Sequence, residues 1–472
     1  MTLGDNKDEF HCSDTAKMAP IAPKQDTELQ TLEISAEKLA LEQEKELIER
    51  GVEDAAESAS PFPEGGYGWV IVCASFIGHF MFPLCLSFGL FHVALQEQFG
   101  RSKGVTALVG SMTYGFAAGL GPVGGLLCSL IGHRWTCILG CLLTCSGFLL
   151  SAFTKNFVVL FFSYGILIGT GICFVLLPST VMNQFYFQKR RSLVTGIVRS
   201  GSGLGSIVLP LFIQYLIDSY SWRGAMILLA GISLQGCVSG AAYRPNAQIE
   251  RKIANESEQN KSLKEGFAAS FDVFKDFRFL LSMSVTFLEG VHSVVFFVLL
   301  PDRVVGYGFS ADQAAFLLFL TGIGSISGRL LGGVVLNVLK WNTILPFGFA
   351  LAMMGGSHLI LVLYQPLYGI LIFAAVWFGF WYGVFCTIIP LYMVQVFGLQ
   401  RVTFVYGWVL FSEGLGGFIG PPIGGALYDM TGIYSYSFLV TASITLIGGL
   451  LNIPIYILDR IRKKKEDGDY VL

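Results

Sequence analysis

The chain has 472 residues, 53% hydrophobic and 14% charged, with 40 Phe, 56 Gly and a mean hydropathy of +0.62. Soluble domains carry about 25% charged residues, so the composition excludes disorder, coiled coil and collagen for the bulk of the chain and argues against a soluble enzyme. The net charge of −2 hides a division: residues 1–66 hold 16 acidic and 6 basic residues, the remainder 17 and 25.

The acidic segment has no apolar h-region, so no cleavable signal peptide is expected. Glu28 to Arg50 has the composition of a charged helix with a ragged stripe of Leu29, Leu32, Leu39 and Ile48. It reads as a solvated, partly helical tail, with a partner-docking helix as the alternative. Its negative charge argues against an anionic lipid surface. Apart from Cys12, the cysteines lie in apolar runs without a CxxC or Cys/His cluster. They read as small hydrophobes, so no metal and no cofactor is expected.

From Tyr67 the chain is a series of apolar runs broken by short polar turns. A crossing needs about 20 apolar residues. Spans are predicted near 67–95, 105–131, 135–153, 157–182, 193–217 and 223–242, then 279–301, 311–338, 342–364, 367–393, 402–427 and 434–458. The expected organisation is a tail at 1–66, a six-helix half at 67–243, a loop at 244–278, a second half at 279–458 and a basic tail at 459–472. An even count puts both ends on one side. That side would hold 24 Lys and Arg against five on the other, with Arg199 and Arg329 inside spans. The bias predicts cytosolic N- and C-termini. The sequons Asn255–Ser257 and Asn260–Ser262 would then face the cytosol and stay unmodified.

The two halves repeat. Gly196, Gly203, Leu204, Gly205, Pro210, Leu216 and Asp218 match Gly407, Gly414, Leu415, Gly416, Pro421, Leu427 and Asp429, each 211 residues apart, and Arg190 matches Arg401. Ser102, Ala107, Gly124 and Gly125 match Ser310, Ala315, Gly332 and Gly333, 208 apart. Corresponding spans are six apart and run in the same direction, so the duplication is parallel, about an axis along the membrane normal. The predicted fold class is an all-α membrane protein of twelve transmembrane helices in two parallel six-helix repeats, the architecture of a major facilitator carrier. The glycine cluster of span two (Gly115, Gly119, Gly121, Gly124, Gly125) reads as a packing face for close helix approach.

Two stretches carry a more specific likeness. Glu64, Gly65, Gly66, Tyr67, Gly68 and Trp69 open span one; Tyr186, Phe187, Lys189, Arg190, Arg191 and Gly196 belong to the run that opens span five. Together they resemble the paired signatures of the monocarboxylate transporters, and the likeness covers 64–458, including Ser221 to Ala225 and Gly420–Pro421–Pro422. Tyr67 and Trp69 suit a membrane interface. Lys189, Arg190 and Arg191 read as positive-side anchors, with ion pairs between the halves as the alternative.

Ionisable groups within spans are functional candidates by default. Away from span ends they are Arg199, Glu289, Arg329 and Glu413, with His79, His92, His292 and His358. Arg329 is the leading candidate, since a permanent guanidinium holds a carboxylate bidentately. In the family resembled, span eight carries an Asp and an Arg four residues apart; here Arg329 matches the Arg and Ser325 stands at the Asp. The family's proton-linked members also carry a span-one Lys, and that position falls at Leu86 or Ser87. These departures weigh against proton-coupled lactate transport. Glu413 is open to proton relay, ion pairing between halves, or packing. Glu289 and His292, one turn apart, form a possible second relay or substrate contact. Arg199 reads as a snorkelling cation, with a place in an intramembrane ion pair as the alternative. Phe378, Trp381, Tyr382 and Phe385 share a face of span ten, and Phe378 and Tyr382 are expected to size the substrate.

The expected function is secondary transport of monocarboxylates or related carboxylate-bearing metabolites across the plasma membrane by alternating access, symport or uniport. The resemblance also implies a facilitative carrier of aromatic amino acids, iodothyronines, creatine or carnitine as an alternative, and an immunoglobulin-type ancillary glycoprotein as a possible partner. A non-transporting sensor or scaffold is the alternative from another class. The basic run Arg460 to Lys465 suits anionic lipid or positive-side anchoring, and Tyr470 to Leu472 is a weak candidate for strand addition to a PDZ groove.

Overall fold

A computed structural model of the chain describes residues 62, 64–85, 87–100, 103–244, 271, 273–340, 342–364 and 367–468. The acidic tail with its expected helix, Cys12, the two sequons, Leu86 and the final Tyr470 to Leu472 lie outside the described residues. No β-strand occurs among the described residues.

The first half contains α1 (Tyr67–Phe80), α2 (Phe88–Phe99), α3 (Lys103–Gly119), α4 (Gly121–Phe153), α5 (Phe157–Leu160), α6 (Gly169–Tyr186), α7 (Arg191–Ser233) and α8 (Gln235–Ala242). The second contains α9 (Phe277–Gly306), α10 (Ala311–Leu339), α11 (Ile344–Leu363), α12 (Tyr368–Phe397), α13 (Val402–Thr431), α14 (Tyr434–Leu450) and α15 (Asn452–Gly468). Ten helical stretches among the described residues are long and apolar enough to cross a membrane. Two of them contain two crossings each. The backbone turns at Gly132 inside α4 (φ 84°, ψ 157°) and at Ser221 inside α7 (φ 63°, ψ 169°). The part of α4 before Gly132 completes the crossing that α3 begins. Twelve crossings result.

Three crossings depart from regular helix. Span one breaks between α1 and α2, where Pro83 lies in a 3₁₀ turn over Phe82–Cys85. Proline removes a donor and disfavours continuation of the helix. Span two steps at Leu120, ahead of Pro122. Span four begins as α5 and runs through a π-helical stretch, Phe161–Ile168, before α6. The Tyr164 carbonyl there accepts a hydrogen bond from Thr113 of α3 at 3.3 Å.

The repeat is visible in the backbone. Left-handed φ values occur at Gly100 and Gly308, at Gly132 and Lys340, and at Ser221 and Gly432. The first two pairs are 208 residues apart and the third 211, the spacings of the sequence repeat. Corresponding spans therefore each end on a positive-φ residue, but the turns are not identical: ψ is 157° at Gly132 against 33° at Lys340, and 169° at Ser221 against 5° at Gly432, and Ser221 and Lys340 adopt a φ that favours glycine.

Within the second half, α10 and α12 approach through small residues on both sides. A side chain at Gly324 or Gly328 would meet the backbone of Val376 or Phe380, and one at Gly379 or Gly383 that of Thr321 or Ser325. Without water to drive association, such small residues are what lets helices touch in a bilayer. Large apolar side chains such as Phe153, Phe162, Leu211, Val238, Val338 and Leu363 point outward, as a lipid-facing belt requires. The nine described cysteines are free, most of them buried.

One end of the molecule is pinned by polar contacts. The Asp276 side chain caps α9 by accepting from the Arg278 amide at 2.9 Å. Arg278 pairs with Asp276 at 2.6 Å and with Asp459 of α15 at 3.1 Å.

Candidate functional site

The two family-like signatures meet at that same end. The Glu64 carboxylate accepts hydrogen bonds from the backbone amides of Gln188, Lys189 and Arg190. Gln188 and Lys189 lie in the turn before α7 and Arg190 is its N-cap residue, so Glu64 ties that turn to the start of span one. The Tyr67 ring lies 6.5 Å from that of Tyr186, and Trp69 packs edge-on against Phe187 at 5.7 Å. Gly68 has to lack a side chain because the Phe187 ring occupies its Cβ position. Arg191 donates to the carbonyls of Phe187 and Gln184 and lies over the Phe62 ring. Tyr67 and Tyr186 donate to the carbonyls of Ala242 and Arg244. The signatures form one clasp that ties span one, the turn from four to five, and the end of span six.

The halves meet along two seams. In the first, Gly196 of α7 lies against the Arg329 carbonyl and Gly333 of α10, and Gly203 against Ile326 and the Arg329 guanidinium. In the second, Gly407 of α13 lies against the Gly121 carbonyl, and Gly414 against Ala118. The pairs correspond under the repeat. Gly121 occupies the position of Arg329, and Ala118 that of Ile326. Both seams run from the end carrying the clasp (Ser192 with Gly333, Thr403 with Gly125) to about mid-span (Ile207 with Gly322, Tyr114 with Gly417).

A polar cluster lies between the seams. Arg199 of α7, 9% exposed, donates from Nη2 to the Tyr406 hydroxyl and sits over that ring at 5.5 Å. Thr180 of α6 donates to the same hydroxyl at 3.5 Å and pairs with His79 Nε2 at 3.2 Å. Glu413 of α13, half-buried, lies within electrostatic reach of Arg199. Glu289 of α9 is fully buried, and its neighbour Gly290 packs on the Glu413 backbone. Neither carboxylate oxygen of Glu289 has a close hydrogen-bond partner among the described residues, and the Ser293 hydroxyl is a polar neighbour. Arg329, 5% exposed, lies 5.8 Å from the centre of the Tyr382 ring, and its Nε and Nη1 have no hydrogen-bond partner among the described residues. Gly203 opposite leaves the room its guanidinium occupies: a Cβ there would lie 2.8 Å from Nη1. Cys386 of α12 is within electrostatic reach of Arg199, Glu289, Arg329 and Glu413. Tyr382 lies within electrostatic reach of Glu289, Glu413 and Arg329, and Tyr114 within reach of both carboxylates. One cluster therefore gathers groups from spans one, two, four, five, seven, eight, ten and eleven.

The other sequence candidates have distinct surroundings. His292 lies with its ring 3.9 Å from that of His358, near Thr445, and His358 bonds Thr441 at 2.8 Å. This histidine pair sits among spans seven, nine and twelve. Phe378 stacks on Phe296 at 3.7 Å and on Tyr382 at 5.8 Å, fully buried. It backs the Tyr382 ring. Ser325 is buried with an unpartnered hydroxyl, and Ser87 donates to the Pro83 carbonyl at 2.9 Å. Tyr406, Thr180, Tyr114 and Cys386 were missed in the sequence because neutral residues in apolar runs carry no signal of their own.

The Major Facilitator Superfamily model matches residues 69–418 and 359–469. Monocarboxylate transporter 12 of Homo sapiens is 30% identical over 440 residues, 86% of this chain and 84% of that protein. The chain belongs to the monocarboxylate transporter family of the major facilitator superfamily. Monocarboxylate transporter 12 of Rattus norvegicus is also 30% identical, over 417 residues, 81% of this chain and 84% of that protein. Monocarboxylate transporter 2 of Meriones unguiculatus is 29% identical over 408 residues, 82% of this chain and 84% of that one. Among solved structures, FucP in the outward conformation covers 82% of this chain and 97% of its own with a TM-score of 0.62 at 16% identity. The human organic anion transporter MFSD10 covers 82% and 100%, with a TM-score of 0.62 at 14% identity. These likenesses share the fold. The chain is thus a multi-pass membrane transporter of this family, and its signatures form the clasp.

Proposed function

We propose that the protein carries a carboxylate-bearing metabolite across the plasma membrane by alternating access, with the substrate carboxylate held by Arg329 between the halves. The observation that carries this reading is the buried guanidinium of Arg329, whose Nε and Nη1 have no hydrogen-bond partner among the described residues. Stranding a charge in a low-dielectric interior costs several kcal/mol, and a bidentate carboxylate offsets that cost. Tyr382, backed by Phe378, flanks the site and supports a role in setting substrate size.

Both chain ends are assigned to the cytosol, supported by the excess of Lys and Arg on their side. The two seams then close the cytosolic half, and rocking of the halves about them would expose the site alternately. The role assigned is translocation without bond chemistry. Glu413 and Glu289 are the groups available to a coupling proton. Glycan on Asn255 or Asn260 would overturn the orientation.

The test is uptake of labelled pyruvate, lactate, creatine and aromatic amino acids into cells, with and without a proton gradient, by wild type and Arg329→Ala at matched surface expression. Uptake of at least one compound, lost in Arg329→Ala, is expected. Wild-type uptake indistinguishable from empty cells for every compound would favour a sensor or scaffold. Uptake that rises with an inward proton gradient and loses that rise in Glu413→Gln would establish coupling.

A further inference from the structure

Hydrogen bonds that cross between the halves gather on one short stretch. The Tyr406 hydroxyl of α13 takes the Nη2 donor of Arg199 and the Thr180 hydroxyl, the latter at 3.5 Å. Thr403, about one turn nearer the start of α13, pairs with His133 Nε2 at 3.4 Å. Arg199, Thr180 and His133 belong to the first half, Tyr406 and Thr403 to the second. Thr403, Tyr406, Gly407 and Leu410 share one face of α13. On that face Gly407 and Leu410 pack on Gly121, and the Thr403 carbonyl lies against Gly125. These polar contacts therefore sit in the second seam, between the central cluster and the end that carries the clasp. Tyr406 precedes Glu413 by about two turns of the same helix.

The repeat does not mirror this contact. The counterpart of Tyr406, 211 residues earlier, is Thr195. Its hydroxyl accepts from Gln184 Nε2 at 3.1 Å and donates to the Arg191 carbonyl at 2.8 Å, both within its own half. The counterpart of Arg199 is the apolar Leu410. Closing the second seam strips water from the Arg199 guanidinium, a costly step for a fixed charge. The Tyr406 hydroxyl and the ring face 5.5 Å from that guanidinium offset the cost. Opening the seam has to break this bond, because its two members stand on different halves. From this we infer that Tyr406 is the gating residue of the end assigned to the cytosol, its hydroxyl on Arg199 holding the second seam shut. It is a positioning residue that acts through Arg199. The inference rests on alternating access about the two seams and names the contact that sets the balance between closed and open.

Leu410→Cys supplies a reporter, since Leu410 is 5% exposed, about one turn deeper than Tyr406 and packed on Gly121. Its reaction with a membrane-impermeant maleimide is followed in inside-out vesicles by mass spectrometry of the peptide carrying position 410, beside uptake of the labelled compounds in cells. Losing a hydrogen bond to a charged group shifts such a balance by at least about tenfold, so adding Tyr406→Phe should speed the reaction by at least that factor. In an Arg199→Met background the same change should alter the rate less than about twofold, as expected when two residues act as one pair. Tyr392→Phe removes a buried hydroxyl bonded to Ser282 inside the second half and should leave the rate unchanged. A rate unaltered by Tyr406→Phe, raised equally with and without Arg199, or raised as much by Tyr392→Phe would overturn the gating role; with uptake intact, alternating access would stand. Equal rates in all variants together with no uptake of any compound would overturn both.

Discussion

The two seams between the halves share a packing device and differ in charge. Gly196 and Gly203 of span five meet Arg329 and Ile326 of span eight; Gly407 and Gly414 of span eleven meet Gly121 and Ala118 of span two. The repeat places these contacts in register, so each half supplies one glycine face and receives the other. Yet Arg329 has Gly121 as its counterpart, Arg199 has Leu410, and Glu413 has Ser202. Duplication supplied a symmetric hinge, and single substitutions turned one seam cationic. Packing follows the repeat, and chemistry departs from it.

The largest effect expected concerns the departure. Arg329→Ala should lower uptake about thirtyfold or more at unchanged surface level, since losing one member of a buried charged contact costs roughly 2–5 kcal/mol. Gly121→Ala, at the mirrored position, should instead impair movement, because its Cβ would enter the Gly407 carbonyl.

The next prediction tests the symmetry. Gly196→Val and Gly407→Val each force a branched side chain against a facing backbone carbonyl. Overpacking of this kind costs about 1–3 kcal/mol, so each should lower uptake about tenfold and leave the site region accessible to a membrane-impermeant thiol reagent from the cytosolic side. Unequal losses, with one seam tolerant, would break the comparison.

A smaller effect separates the halves. The N-cap residues Arg190 and Arg401 make no side-chain cap of their own, but the turn into span five is held by Glu64 through the amides of Gln188 to Arg190. Glu64→Ala should lower the unfolding free energy by about 1–2 kcal/mol through loss of hydrogen bonds to a charged acceptor, read as a lower melting temperature of purified protein, with Glu64→Gln showing a smaller loss. The smallest effect concerns the turns. Ser221 stands in a left-handed conformation where the second half has Gly432. Ser221→Gly should raise stability by about 1 kcal/mol and Gly432→Ser lower it by a similar amount.

Much of the fold was legible. Apolar runs of crossing length and a constant offset between glycines are strong signals because the bilayer fixes length and the repeat fixes spacing. Breaks within spans were less legible: the 3₁₀ turn at Pro83 and the step at Leu120 interrupt runs that remain apolar throughout. Arg199, Glu289, Arg329 and Glu413 stood out because charge is costly in a span, and the structure brings all four within reach of Cys386. Their partners did not stand out, since Tyr406 or Thr180 gains its role only from a helix more than a hundred residues away. His292 shows the converse. One turn from Glu289 in sequence, it stacks on His358. The signatures were legible as a motif, but their joint clasp needed Glu64 to be seen at the amides of Gln188 to Arg190.

The central claim is that the substrate carboxylate binds Arg329 at a place where the mirrored position is an uncharged Gly121. Equilibrium binding of the transported compound to purified wild type, Arg329→Ala and Gly121→Ala tests it most directly. Arg329→Ala is expected to lose about thirtyfold or more in affinity while Gly121→Ala stays within a few-fold of wild type. Equal affinity in wild type and Arg329→Ala would contradict it.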